Sequence, residues 1–354
     1  MTQLLYRPYG LFVSNGEIYI ADTNNHRVRK VLQNGQIVTI CGTGIQGYNG
    51  DGQLATDAQL NLPWAVVVSS SNQVYISEMD GDRIRKIDPC GIISTIAGTE
   101  IEGYNGDDQL ATNARVNFPC GLFVTDDEHV LFADCLNHRV RMIDRNGIIS
   151  TLAGNGVGGF NGDGQLATSA SLYYPSSVFQ YKNEIYITDT DNQRIRKMDQ
   201  NGIISTVVGN EGYDTSFNPD SVSVHNGQVY LSEAEFNLIR KVLPNGCLLT
   251  IAGIEGEQGF NGNDMSATKT KLNNPRGIFI DTNSQIYIAD CGNHCIRMID
   301  RNGMMKIIAG TAGHSGYSGD VPFDFEKYPH IGPKKKQLIK PFPLALFDLI
   351  VKCQ

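Results

Sequence analysis

One phrase recurs six times along the chain, and that recurrence limits the fold more than any single residue does. The first copy runs Pro8-Tyr9-Gly10-Leu11-Phe12-Val13, Glu17-Ile18-Tyr19-Ile20-Ala21-Asp22, Asn25-His26-Arg27-Val28-Arg29-Lys30 and Asn34-Gly35-Gln36-Ile37-Val38-Thr39-Ile40. It restarts at Pro63, Pro119, Pro175, Pro219 and Pro275, at spacings of 55, 56, 56, 44 and 56 residues. Units of this size cannot bury their own apolar faces, so they must stack or close on one another. Six of them fit one closed domain in a chain of 354 residues.

Each copy holds four short runs rich in β-branched and aromatic residues, separated in the first copy by Asn15-Gly16, the Asp22–His26 stretch and Gln33-Asn34-Gly35. Asn-Gly between such runs is a strong hairpin signal. The pattern predicts an all-β fold: a six-bladed β-propeller of four-stranded antiparallel blades, the ring leaving no free sheet edges. The propeller is expected over residues 1–320, with blades starting near 8, 63, 119, 175, 219 and 275. Residues 321–354 read as an extended linker or tail, marked by Pro322, Pro329, Pro333, Lys334-Lys335-Lys336, Pro341 and Pro343.

The phrase Asp22-x-x-Asn25-His26-Arg27-Val28-Arg29 resembles the NHL repeat, a propeller blade named for its Asn-His-Leu triplet. Ile96–Thr112, with Gly103-Tyr104-Asn105-Gly106-Asp107, resembles a subtype with long linkers between blades. The resemblance covers Pro8 to about Asp320 and implies a six-bladed ring. It departs from the pattern where the histidine becomes Asp82, Gln193 and Asn237, where the leading aspartate becomes Glu78 and Glu233, and where the first arginine becomes Leu238 and Cys295. The second arginine is present in every copy: Arg29, Arg85, Arg141, Arg196, Arg240 and Arg297. Phe347-Asp348-Leu349-Ile350-Val351 resembles the opening strand of a BTB domain, which implies an adaptor continuing into a further domain. Residues 2–8 resemble the end of a linker such as Ala58–Pro63. With all four strands of blade one at the start of the chain, the ring seam is expected to rest on packing alone.

Alternating strand directions put the loop between second and third strands on the same face as the blade-to-blade linkers. Long linkers commonly carry function. Four contain Asn49-Gly50-Asp51, Asn105-Gly106-Asp107, Asn161-Gly162-Asp163 or Asn261-Gly262-Asn263, each preceded by an aromatic: Tyr48, Tyr104, Phe160 or Phe260. One acid per turn supplies too few oxygens for calcium, so these are expected to be turns or helix N-caps, with the aromatics, and Tyr317, as anchors. The fourth linker, Asn210–Asn218, is about a dozen residues short and predicts a notch in the rim.

His26, His138 and His294 occupy one position of different blades, so they lie around the ring rather than converging on a metal. Asp22, Glu78, Asp134, Asp189, Glu233 and Asp290, with the six arginines, are expected to hold blades together. The mouth of the channel brings together Tyr9, Trp64, Cys120, Ser176, Asp220 and Arg276, a set that offers no metal cage, nucleophile or paired carboxylates. Aromatic and arginine side chains are favoured interface anchors, so Tyr9, Trp64, Asp220 and Arg276 are the candidate partner-binding residues. No cofactor is expected. A net charge of −8 disfavours nucleic acid. No run approaches a membrane helix, the N-terminus lacks a secretory apolar region, and eight cysteines show no paired spacing. The reading is a cytoplasmic, non-catalytic scaffold or adaptor that binds a protein or peptide partner through the linker face. The alternatives are a lyase- or esterase-type enzyme at the channel mouth and, third, RNA binding.

Overall fold

The computed structural model describes residues 4–209 and 217–319. The tail 321–354 with its BTB-like segment, and residues 210–216 of the shortened linker where the notch is expected, lie outside the described residues.

Each blade grows outward from its proline. In blade one the strands Pro8–Ser14, Glu17–Asp22, Arg27–Val31 and Ile37–Cys41 pair antiparallel in sequence order. Asn15 and Gly16 join the first two with φ of 52° and 75°, the left-handed pair that suits a two-residue hairpin to the twist of its strands. Five further sheets repeat the order, with innermost strands Pro63–Val68, Pro119–Val124, Pro175–Tyr181, Ser221–His225 and Pro275–Ile280. The six sheets form the blades of a six-bladed β-propeller. No helix among the described residues is long and apolar enough to cross a membrane.

The apolar core lies between blades. Ala21, Val28 and Cys41 of blade one pack with Val66, Val68 and Ile76 of blade two. Leu11 and Ile20 of blade one pack with Tyr287, Ala289 and Ile296 of blade six. Every blade therefore completes its neighbour, which is why the units cannot stand alone. Near the axis the innermost strands meet backbone to backbone. A Cβ on Gly277 would stand 2.6 Å from the Tyr9 carbonyl oxygen, and one on Gly121 would stand 2.7 Å from the Ser177 Cα. Only glycine permits that approach, and it narrows the channel.

Two blades depart from the four-stranded expectation. Gln109–Leu110 adds to the outer strand of blade three through Ile148 and Ile149, and Met265–Ser266 adds to that of blade six through Met304 and Met305. These pieces belong to the linkers, which run along the outer edge of the following blade and cover it.

The seam also departs from expectation, because it is hydrogen-bonded as well as packed. Inside the first linker Gln46 bridges Leu60 in parallel, and the Gly47 N–H donates to the Leu60 carbonyl at 3.2 Å. At the seam Ser315 bridges Leu5 in the same way, and the Gly316 N–H donates to the Leu5 carbonyl at 3.2 Å. The Arg7 N–H donates to His294 Nδ1 at 3.3 Å, as the Leu62 N–H does to His26 Nδ1. Tyr317 then stacks on Arg27 of blade one, 3.9 Å from ring centroid to guanidinium carbon. The sixth linker is thus assembled from the two ends of the described ring, and the likeness of residues 2–8 to a linker end reflects where Leu4–Arg7 dock. Leu5 and Leu60 are both fully buried. Leu5→Ala should lower the unfolding free energy by about 2–5 kcal/mol, as Leu60→Ala should. Urea unfolding of both variants checks this, and a near-neutral Leu5→Ala would show that the seam does not depend on the docked segment.

Candidate functional site

The repeated polar residues form one bonding scheme, used six times. At the end of the second strand a carboxylate is fully buried, and the third strand places an arginine beside it. Asp134 Oδ2 lies 3.2 Å from Arg141, Asp189 Oδ2 3.3 Å from Arg196, and Glu78 Oε2 3.1 Å from Arg85. Asp22 pairs with Arg29, Asp290 with Arg297, and Glu233 with Arg240 at 3.4, 3.6 and 2.8 Å. Burial pushes the Asp22, Asp134 and Asp290 carboxyls up to about 6, against the lowering pull of their arginines and N–H donors.

The other end of the arginine holds the linker. Arg85 reaches Asp51 at 2.8 Å, Arg141 reaches Asp107 at 2.7 Å, and Arg196 reaches Asp163 at 2.8 Å. Tyr48, Tyr104 and Phe160 stack on arginines of those same blades. The aspartates of the Asn-Gly-Asp segments are therefore arginine partners. They are not helix N-caps: the short 3-10 turns of the linkers start at Ala55, Ala111, Ala167 and Ala267 and carry no side-chain cap. The asparagines clamp the far end of each turn instead, as where Asn49 donates to the Asp57 carbonyl at 2.9 Å. Sequence reasoning passed over Asn25, Asn137, Asn192 and Asn293. Each donates both to the blade carboxylate and to a linker carbonyl, Gly316, Gly103, Gly159 or Gly259.

The histidine position is a backbone acceptor. His26, His138 and His294 take the N–H of Leu62, Tyr174 and Arg7 on the following blade through Nδ1. Asp82 and Asn237 accept from Phe118 and Asn274 in the same place, at 2.8 and 2.7 Å. Those donors precede the blade proline and adopt left-handed φ, between 46° and 57° for Arg7, Leu62, Phe118, Tyr174 and Asn274. Such a backbone is costly for bulky residues and persists only where its surroundings hold it.

At the channel mouth the structure brings all four sequence-nominated residues together. The Tyr9 and Trp64 rings meet edge to face, with centroids 4.6 Å apart. The Arg276 guanidinium carbon lies 4.9 Å from the Tyr9 centroid and 5.2 Å from that of Trp64. Arg276 also pairs with Asp220 at 3.2 Å and donates from Nε to Asn274 Oδ1 at 3.0 Å. Burial pushes the Asp220 carboxyl up, while Arg276 and the Ala234 N–H pull it down. Sequence reasoning missed Phe118 and Tyr174, which continue the aromatic arc from Trp64 at centroid spacings of 6.2 and 5.9 Å. Cys120 is buried against that arc, and Ser176 is buried with its hydroxyl on the Asp220 carbonyl. No group of three His, Cys, Asp or Glu side chains among the described residues is placed to hold a metal ion.

The teneurin NHL domain matches residues 41–105, 159–225 and 252–324, which together exceed half of the chain, and the NHL repeat matches residues 5–31. The chain belongs to the teneurin NHL domain family. Teneurin-4 of Mus musculus is 26% identical over 89% of this chain, which spans 11% of that protein's length. NHL repeat-containing protein 2 of Homo sapiens is 23% identical over 90% of this chain, which spans 42% of its length. Among solved structures, a streptogramin B lyase superposes with a TM-score of 0.56 at 14% identity, covering 89% of this chain and 86% of that one. The gluconolactonase XC5397 of Xanthomonas campestris gives 0.57 at 14%, covering 86% and 88%. A chain of a nidogen/laminin complex gives 0.56 at 11%, covering 84% and 95%. At these identities the shared feature is the ring alone.

One consequence of the acceptor role can be measured. Burial lowers the His26 pKa to about 4, whereas the unfolded imidazole titrates near ~6.5. Between those values the unfolded chain binds a proton that the folded chain refuses, so the His26 contribution to stability is lost as pH falls from ~6.5 towards 4. His26→Asn, which installs the side chain that blade five carries at Asn237, keeps an acceptor that does not titrate. It should flatten the pH dependence of urea stability in that window by up to one proton relative to the parent; an unchanged slope would remove His26 from the acceptor role.

Proposed function

We propose that this NHL propeller is a non-catalytic platform for a protein or peptide partner, and that the partner docks on the linker face at the mouth formed by Tyr9, Trp64, Asp220 and Arg276. One observation carries the reading. Arg276 is paired with Asp220, and the Tyr9 and Trp64 rings lie against its guanidinium, so the mouth presents aromatic rings beside a paired arginine. Aromatic rings with a supporting arginine are the side chains that most often anchor protein interfaces. Further out, three linkers raise an apolar side chain at one equivalent point: Ile45, Ile101 and Val157 are 45%, 53% and 63% exposed.

The platform reading includes a cytoplasmic location, supported by seven cysteines that are all free among the described residues. The propeller likenesses to a lyase and a gluconolactonase keep an enzyme at the same mouth as the second reading.

Affinity capture from cytosol with the parent protein and with a Trp64→Ala, Arg276→Glu variant tests the proposal, with thermal stability measured alongside. A partner identified by mass spectrometry should rebind the parent as a purified protein and lose at least about tenfold in affinity to an equally stable variant. Equal binding to both proteins would move the interface away from the mouth. Turnover of a lactone or ester by the parent, abolished in the variant, would replace the platform with the enzyme.

A further inference from the structure

Six loops between second and third strands surround the mouth, one per blade. Their tips carry Asn24, Asp80, Leu136, Asp191, Glu235 and Gly292: three carboxylates and no cation. Asp80, Leu136, Asp191 and Glu235 are exposed. Among the described residues, the side chains of Asp80 and Asp191 accept no hydrogen bond and form no ion pair. Desolvation by the surrounding loops raises both carboxyls above their ordinary value although each reaches solvent, and His138 opposes the rise at Asp191.

The aromatic arc inside these tips is only half used. On one side Arg276 covers Tyr9 and Trp64, with Asp220 as its counter-charge. On the other side Phe118 and Tyr174 stand 5.9 Å apart at an interplanar angle of 50°, and no cation among the described residues lies over either ring. Asp82 holds the Phe118 N–H, and burial raises the Tyr174 hydroxyl pKa, with Arg276 pulling it down and Asp191 pushing it up. The two sides are therefore alike in their rings and their acids, and differ in that Arg276 is stacked on the rings of one side only. Elsewhere the chain satisfies this combination with guanidinium, as where Arg139 lies 3.8 Å from the Tyr104 centroid.

We propose that the Phe118–Tyr174 side of the mouth receives an arginine side chain from an extended segment of a partner protein, with Asp80 and Asp191 as its counter-charges and Leu136 beneath the neighbouring apolar residue. This rests on the platform reading and specifies its partner's chemistry. A planar guanidinium stacks on a ring and pairs with carboxylates at once, which a compact ammonium does less well. Three acids at the rim attract a basic segment and repel phosphates. Leu136, 45% exposed between Asp80 and Asp191, supplies the apolar contact that sets direction.

Trp64 is the chain's one tryptophan and sits 6.2 Å from Phe118, so its fluorescence reports on the site. The full chain is titrated with three synthetic peptides on a Gly-Ser background, carrying Arg-Leu, Lys-Leu or Glu-Leu. The arginine peptide should give a saturable change, the lysine peptide a several-fold weaker one, and the glutamate peptide none. Asp80→Asn with Asp191→Asn, both at exposed loop tips, should weaken the arginine peptide by about tenfold with an unchanged melting temperature. Binding of the glutamate peptide as tight as that of the arginine peptide, no response to the arginine peptide, or no loss in the double variant would each overturn the inference. The platform is judged separately by Trp64→Ala, Arg276→Glu capture: a rebound partner with no arginine preference would overturn this inference and leave the platform standing.

Discussion

The ring depends on a buried arginine. In each blade the third strand carries a guanidinium that is almost wholly withdrawn from water, and it is tolerated because a carboxylate from the second strand lies beside it. Removing one member of such a pair leaves an uncompensated buried charge and costs on the order of 3–5 kcal/mol. A lone carboxylate would have met only part of the guanidinium's five donors. The linker adds to this: Arg141 bonds Asp134 through one terminal nitrogen and the Gly106 carbonyl and Asp107 through the other, while its buried Nε has no hydrogen-bond partner among the described residues. One side chain thereby joins two strands of its own blade to the segment arriving from the blade before. A linker of some 20 residues is thus held at a polar point as well as by the few apolar side chains it buries, such as Ala58 and Leu60.

The same economy explains the closure. No linker runs directly from blade six into blade one, yet Tyr317 beyond blade six meets Arg27 and Arg29 as Tyr48 meets Arg83 and Arg85. The asparagine of blade one reaches back as well, with Asn25 donating to the Gly316 carbonyl at 2.8 Å. Chain continuity is replaced there by ring-on-arginine and asparagine-to-carbonyl contacts of the kind that described linkers make elsewhere, as Tyr104 does on Arg139 and Asn137 on the Gly103 carbonyl.

Much of this was legible in the chain. The period gave the number of blades, the Asn-Gly turns gave the hairpins, and strand alternation gave the two faces. The four mouth residues were identifiable because they occupy one column of the repeat, directly after the proline, and differ there from blade to blade. What escaped was contact between residues far apart in sequence. Asn-Gly-Asp looks like a local turn because its arginine lies 34 residues downstream in blade two. The column before the proline, which holds Arg7, Leu62, Phe118, Tyr174, Asn218 and Asn274, varies so widely that it reads as loop. Except at Asn218, its place beside the mouth depends on a left-handed backbone that no propensity assigns to phenylalanine or tyrosine.

That backbone links the scaffold to the site. Strain at Phe118 and Tyr174 is held by acceptors at the NHL histidine position, Asp82 and His138, which belong to the preceding blades. The acceptor takes the N–H and leaves the side chain unconstrained, so the position tolerates leucine, phenylalanine, tyrosine, arginine or asparagine without loss of the junction. The residue after the proline is equally free, because blade cohesion is secured by arginines farther out. The repeat therefore fixes the backbone of the mouth and leaves its side chains open to variation. In this chain the variation is not scattered: aromatic rings occupy blades one to four, while Asp220, Arg276 and Asn274 occupy blades five and six. A ring built from near-identical units acquires a direction across its mouth in this way, from a side lined by rings to a polar side where Arg276 pairs with Asp220.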